Sequence, residues 1–348
     1  MEKQTVISID AMGGDFAPRS VIEGVALAAK KHKDLFFFLF GNEDIIAPIV
    51  QEVGLDKSRY KIHHTTAVIK GTDKPSLAIR TGRDSSMWQA IMAVRNGYAK
   101  AVISAGNTGA LMAMSKICLG MIPGIDRPAI AAILPSQTGP IVCLDLGANA
   151  ECDAQNLVEF AIMGDVLYKV LFGEEDPLIG LLNIGSEETK GREEIRTAAT
   201  QLKESAHHLN FKGFVEGNDI ALGNAQVFVS DGFSGNIALK TLEGTAKFIA
   251  SSLKQEIKKS LLGMLGFGIA MGALKRFKKK ADPRQYNGAM LVGLKGISVK
   301  SHGGADAFSF SCAIDAAARM AKNDLCEKIQ TEMASFMNLP SLSDTNEP

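Results

Sequence analysis

Four glycine-containing loops with small hydroxyl, amide and charged side chains recur along the 348-residue chain, each directly after an apolar run: SAGNTGA (104–110), GANAECD (147–153), IGSEETKG (184–191) and DGFSGN (231–236). A fifth, DAMGGD (10–15), follows TVISI, and a sixth, SHGGADA (301–307), follows another strand-like segment. Glycine lets backbone amides approach an anion closely, while Ser, Thr and Asn donate hydrogen bonds and cap the next helix. One such loop is ordinary punctuation; several at equivalent positions point to an anion site. The expected pocket combines Ser104, Gly106, Asn107 and Thr108 with Ser234, Asn236 and the cation Lys190. Asp10, the amides of Gly13 and Gly14, and Lys240 are further binding candidates, with Asp15 either guarding the next helix start or orienting the ligand. His302, Asp306, Lys190 and Asp231 are the catalytic candidates. Imidazole is the side chain suited to proton transfer near neutral pH, and Asp306 one turn on can orient His302.

Several familiar chemistries lack their signatures. The chain has no GxxxxGK[ST], no GxGxxG after the first strand, no HExxH, no GxSxG and no CxxC pair. Without a clear covalent nucleophile, amides, hydroxyls and a few cations suit immobilising an anion such as phosphate as a nucleophile. No metal or cofactor is expected.

The elements that must position these loops are short β-rich runs alternating with amphipathic stretches: TVISIDA, LFFFLFG, YKIHHTT, AKAVISAG, AIAAILPS, GPIVCLDLG, PLIGLLNIG, FKGFVEG and QVFVSDG. Several are apolar on both faces, as in a parallel sheet covered by helices on both sides, so the class is α/β with a three-layer αβα arrangement. No linker divides the chain. Residues 1–340 are expected as one unit with a helical hairpin at about 240–288 and a disordered tail at 341–348.

Composition agrees with a globular protein: 46% of residues are hydrophobic and the formal net charge is zero, which argues against nucleic-acid binding. The five cysteines read as reduced core residues, and the absence of a leader or spanning segment suggests the cytoplasm. One region departs from the average: nine basic residues stand against two acidic ones between Lys254 and Arg284, around the apolar LLGMLGFGIAMGAL. Its four glycines suggest a mobile tip and not a rigid helix.

DAMGGDFAP, SAGNTGA, GIDRPAIA, LDLGAN, NIGSEETKG, VSDGFSGNIALKTLEG, YNGAMLVGLKG and SHGGADA occur in the order and spacing of the PlsX-type phosphate acyltransferases, which the chain resembles from about Ile7 to the helix after Asp306. The resemblance implies transfer of a fatty acyl group from acyl carrier protein thioester to inorganic phosphate, giving acyl phosphate for a membrane glycerol-3-phosphate acyltransferase. It further implies a homodimer with a fold similar to phosphotransacetylase and the isocitrate and isopropylmalate dehydrogenases. His302 would then protonate the leaving thiolate or hold the oxyanion. Leu265, Phe267, Lys275, Arg276, Lys278, Lys279 and Lys280 would touch the inner membrane leaflet or the acidic carrier protein, the alternative being a helical hairpin buried in the dimer. Two alternatives are a metal- and NAD-dependent hydroxy-acid dehydrogenase of the same fold class and a non-catalytic carrier-protein scaffold.

Overall fold

The computed structural model describes residues 4–205, 208–280 and 282–337, with the backbone alone at 205, 261–263 and 277–280. The strands are β1 (Thr5–Asp10), β2 (Leu35–Gly41), β3 (Tyr60–His64), β4 (Ala101–Ser104), β5 (Ala129–Pro135), β6 (Pro140–Leu144), β7 (Ile179–Leu182), β8 (Phe211–Val215), β9 (Val227–Val229), β10 (Ala289–Val292) and β11 (Ile297–Lys300). They form one 11-stranded sheet in the order β3-β2-β1-β4-β11-β10-β5-β6-β9-β7-β8. The helices are α1 (Arg19–Lys31), α2 (Glu43–Glu52), α3 (Pro75–Thr81), α4 (Ser86–Arg95), α5 (Thr108–Leu119), α6 (Ala154–Phe172), α7 (Glu193–Ser205), α8 (Gly217–Leu222), α9 (Gly232–Lys258), α10 (Leu261–Ile269), α11 (Met271–Lys280), α12 (Ala307–Lys322) and α13 (Leu325–Met337).

Strands that are apolar on both faces require cover on both, and they receive it. On one face Ile7, Ile9, Phe37 and Ile103 pack with Val25 of α1, Phe160 of α6 and Phe310 of α12. On the other, Phe40 and Val102 meet Met87 and Ile91 of α4 and Leu111 and Met114 of α5. The expected three-layer α/β architecture is therefore present.

Strand direction is less uniform than the sequence suggests. β1, β2, β3, β4 and β11 are mutually parallel, as are β6, β7, β8 and β9. Between these blocks, β11/β10, β10/β5 and β5/β6 are antiparallel. Three reversals leave the two blocks running in opposite directions, but the blocks are staggered along β5: residues 129–131 pair with β10 and 132–135 with β6, so the carboxyl ends of β4 and β6 come to about the same level of the sheet. That arrangement decides which loops can share a site.

The protruding element is longer than a simple hairpin inserted at 240. α9 starts at Gly232, is capped by Asp231, and continues unbroken for 27 residues, about 40 Å at the helical rise. Gly235, Ala238, Leu239 and Leu242 line a cavity with Leu134 and Phe228 of the sheet and Leu146 just past β6, whereas Phe248, Ile249 and Leu253 further along are exposed. Gly263, Gly266 and Gly268 fall inside α10 and Gly272 inside α11, so the expected glycine interruption gives way to short helices. Among the described side chains of this element, Leu265 and Ile269 are 67% and 90% exposed, and Phe267 is half-buried. Lys275 and Arg276 are exposed; the side chains of Lys278, Lys279 and Lys280, like the tail at 341–348, lie outside the described residues. No helix among the described residues is long and apolar enough to cross a membrane.

Candidate active site

At the carboxyl edge of the first block, β1, β4 and β11 place Asp10, Ser104 and Lys300 in one register row on adjacent strands. Partners in parallel register present side chains to the same face, so an acid, a hydroxyl and an ammonium stand side by side. Asp10 is buried; its Oδ2 accepts from Ser104 Oγ at 2.6 Å and its Oδ1 from Ser86 Oγ at 2.6 Å. Burial pushes its carboxyl above the ordinary range, opposed by the two hydroxyls and by the Met12 and Gly13 amides. Part of the amide cradle expected for an outside anion thus holds Asp10 itself. A Cβ on Gly13 would stand 2.5 Å from Asp10 Oδ2 and 2.8 Å from the Gly106 amide, which explains the glycine.

The loops after these strands interlock. Asp15 N–H donates to the Gly303 carbonyl at 2.8 Å, and Gly106 N–H donates to Ser104 Oγ at 3.0 Å. Lys300 Nζ sits between them, donating to the Ala105 carbonyl at 3.2 Å and to the Ser301 carbonyl. Burial lowers its pKa to about 8, with Asp15 and Asp10 pulling the other way. Asp15, His302 and Gly304 are exposed at the mouth of this group, and Thr108 is exposed nearby on the first turn of α5.

His302 accepts from Gly304 N–H through Nδ1 at 3.0 Å, which in the neutral ring leaves the proton on Nε2. Asp306 does not orient it. As the N-cap of α12, Asp306 accepts from Ser309 N–H at 2.8 Å and pairs with Arg284 at 2.7 Å, and both contacts hold its carboxyl below the usual range. Asp15 likewise caps no helix, since Pro18 occupies the N-cap of α1. Asn107 caps α5 through Ala110 N–H, and its Nδ2 donates to the carbonyls of Lys70, Gly71 and Asp73. It ties down a neighbouring loop with its own polar atoms.

A second group occupies the carboxyl edge of the other block. Asp145 is fully buried and accepts from the amides of Ile130, Gly147, Ala148 and Asn149 and from Asn149 Nδ2. Asp231, also buried, accepts from Ser234 N–H at 2.7 Å and Ser234 Oγ at 3.2 Å and pairs with Arg192. Asn236 Nδ2 donates to the Leu146 carbonyl at 3.0 Å. Lys190 is exposed close by in the 184–191 loop, and Lys240 is turned to Glu243 at 3.0 Å. Four strand steps of about 4.8 Å separate β4 from β6, so Ser104 and Asp145 stand roughly 20 Å apart. The residues expected in one pocket thus lie on both sides of the antiparallel centre of the sheet, Ser104, Asn107 and Thr108 on the first block and Asn236 and Lys190 on the second, at carboxyl ends that stand at about the same level.

Lys300 and Arg192 stand in these two strand-end groups, and sequence reasoning singled out neither. Lys300 closes a strand and reads as its last exposed position. The available signal was a cation immediately before a glycine loop, one residue ahead of the Ser-His pair. The cysteines offer no thiolate nucleophile: burial pushes Cys143 and Cys152 up to about 12.

The chain matches the family described as "Fatty acid synthesis protein" over residues 5–328. It is 49% identical over 341 residues to the phosphate acyltransferase of Rhodospirillum rubrum, covering 98% of each chain. It is 52% identical over 334 residues to the phosphate acyltransferase of Granulibacter bethesdensis, covering 96% of this chain and 90% of the relative. Among solved structures, a phosphotransacetylase from Streptococcus pyogenes superposes with a TM-score of 0.60 at 18% identity, over 92% of this chain and 95% of that one. EutD phosphotransacetylase from Staphylococcus aureus gives 0.58 at 16% identity over 92% and 94%. At those identities the likeness speaks for the fold alone, whereas the sequence relatives settle the family. The chain belongs to the fatty acid synthesis protein family of phosphate acyltransferases.

Proposed function

We propose that this chain transfers a fatty acyl group from an acyl carrier protein thioester to inorganic phosphate, releasing acyl phosphate for phospholipid synthesis. The observation that carries the reading beyond family membership is the Asp10–Ser104–Lys300 row, a fixed acid and a solvent-reachable ammonium framed by glycine loops. Hydrogen phosphate is nucleophilic at neutral pH without covalent help. The protein has to hold it against the thioester carbonyl, stabilise the tetrahedral oxyanion and let the thiolate leave. Lys300 supplies the cation for the phosphate. The hydroxyls and amides around Asp10 keep that carboxylate from repelling the nucleophile. His302, with Nε2–H free at the mouth, suits the oxyanion better than proton donation, because its Nδ1 is already engaged by Gly304 N–H. Neither the hydroxy-acid dehydrogenase nor the non-catalytic scaffold accounts for membership in a family of acyltransferases.

The partners follow from the same reading. Residues 1–340 act as one acyltransferase unit in a cytoplasmic homodimer, with α9 to α11 as the arm. Its exposed Phe248, Leu253, Leu265 and Ile269 beside Lys275 and Arg276 suit contact with the anionic inner leaflet, where the glycerol-3-phosphate acyltransferase takes the product. The acidic carrier protein is the other occupant its charge would accept. The deciding experiment mixes the purified protein with acyl carrier protein thioester, with and without phosphate, and measures acyl phosphate and free carrier thiol. Phosphate-dependent formation of both in equal amounts supports the reading; thiol release that ignores phosphate overturns it.

A further inference from the structure

An ammonium has three N–H donors, and Lys300 gives two of them to the carbonyls of Ala105 and Ser301. Among the described residues it makes no direct ion pair: Asp10 is bonded to Ser86 and Ser104, and Asp15 acts on it only through its field. One donor thus remains for a ligand, at the point where the loops after β1, β4 and β11 meet. A half-buried lysine with carbonyl partners and no carboxylate in contact is poorly stabilised as a cation. A purely structural cation would sit better against an acid, as Arg192 does against Asp231.

We propose that Lys300 carries the proton between the two substrates: its ammonium protonates the departing thiolate, and the resulting amine takes the proton that hydrogen phosphate sheds on acylation. The inference rests on the acyl-transfer reading above. The balance closes: the carbonyl carbon–sulfur bond breaks, a carbonyl carbon–oxygen bond to phosphate forms, the carrier leaves as thiol, and the lysine ends as it began. A proton carrier works best when its affinity matches the group it serves. The ammonium, with its pKa lowered to about 8 by burial, lies close to an alkyl thiol at about 8.5. The titratable groups facing it are Asp10 and Asp15 on the β1 side and His302 in its own loop. The β4 loop offers only Ser104, Ala105, Gly106 and Asn107, α4 contributes Ser86, and Asp306 of α12 is held by Arg284.

Lys300→Arg keeps the charge but cannot release a proton at these pH values, so it separates phosphate binding from proton transfer. With acyl carrier protein thioester and phosphate as substrates, the variant should keep its phosphate KM within about threefold while kcat falls roughly 10²- to 10⁴-fold. Lys300→Ala should lose both and regain turnover with added ethylamine. Wild-type kcat should fall with a midpoint near pH 8 as the ammonium is lost. Thermal melts of each variant separate folding from function. If Lys300→Arg turns over within about threefold of wild type, or wild-type kcat shows no basic limb near that pH, the assignment is wrong even though acyl transfer stands. If wild type itself makes no acyl phosphate, the acyl-transfer reading fails and this step with it.

Discussion

The two strand-end groups use nearly the same residues and do different work. Around Asp145 and Asp231 every buried carboxylate is surrounded: four amides and one side-chain amide close on the first, a helix N-terminus and Arg192 on the second. Around Asp10 the acid is equally well held, but the neighbouring cation is not, because Lys300 spends two donors on carbonyls and keeps one. A saturated network specifies a fold, since each bond satisfies a group that would be costly to leave unpaired. An unsaturated cation at an open glycine loop is stabilised further only when a ligand arrives. Loop composition alone does not separate these cases; the count of partners does.

Breaking the saturated group should produce the largest structural effect. Asp145→Ala leaves the amides of Ile130, Gly147, Ala148 and Asn149 without their acceptor in a buried site, for a loss of roughly 3–5 kcal/mol in denaturant unfolding. A loss below about 1 kcal/mol would mean that water replaces the carboxylate and that the contrast drawn above is too sharp. Asn107→Ala should come next, at about 1–2 kcal/mol, because the α5 cap and the hold on the 70–73 loop both disappear. Its phosphate KM should rise only as that loop loosens; a tenfold rise with unchanged stability would make Asn107 a direct ligand.

Smaller changes sharpen the assignment of surfaces. Neutralising Lys275, Arg276, Lys278, Lys279 and Lys280 should weaken binding to anionic vesicles by roughly 1 kcal/mol per charge near the surface while soluble turnover changes less. Equal flotation of variant and wild type, or none for either, would assign the arm to the dimer or the carrier protein. Lys190→Ala should do least to stability, within about 0.5 kcal/mol, since Lys190 is exposed in the 184–191 loop. A sharp rise in its phosphate KM would bring the 184–191 loop of the second block onto the phosphate, whereas an unchanged KM would leave phosphate binding to the first block.

Much of the fold was legible before any coordinates. Period-two apolar runs and amphipathic spacing name nine of the strands, and two-faced apolarity implies helices on both sides of the sheet. The weight of motifs such as VSDGFSGNIALKTLEG and SHGGADA points to the family, because long motifs in fixed order carry information that composition does not. Asp10, Gly13, Ser104 and His302 stand out in the sequence because glycine and small polar residues after a strand have a local physical meaning. Strand direction has no such local signature. AIAAILPS reads alike whether its neighbour runs with it or against it, and only the pairing of its first half with β10 and its second half with β6 brings the carboxyl ends of two oppositely directed blocks to one level. The environment of Lys300 is decided the same way. Its identity is written in the sequence, but a partly desolvated ammonium with one donor to spare exists only where β1, β4 and β11 bring residues nearly 300 positions apart into a single row.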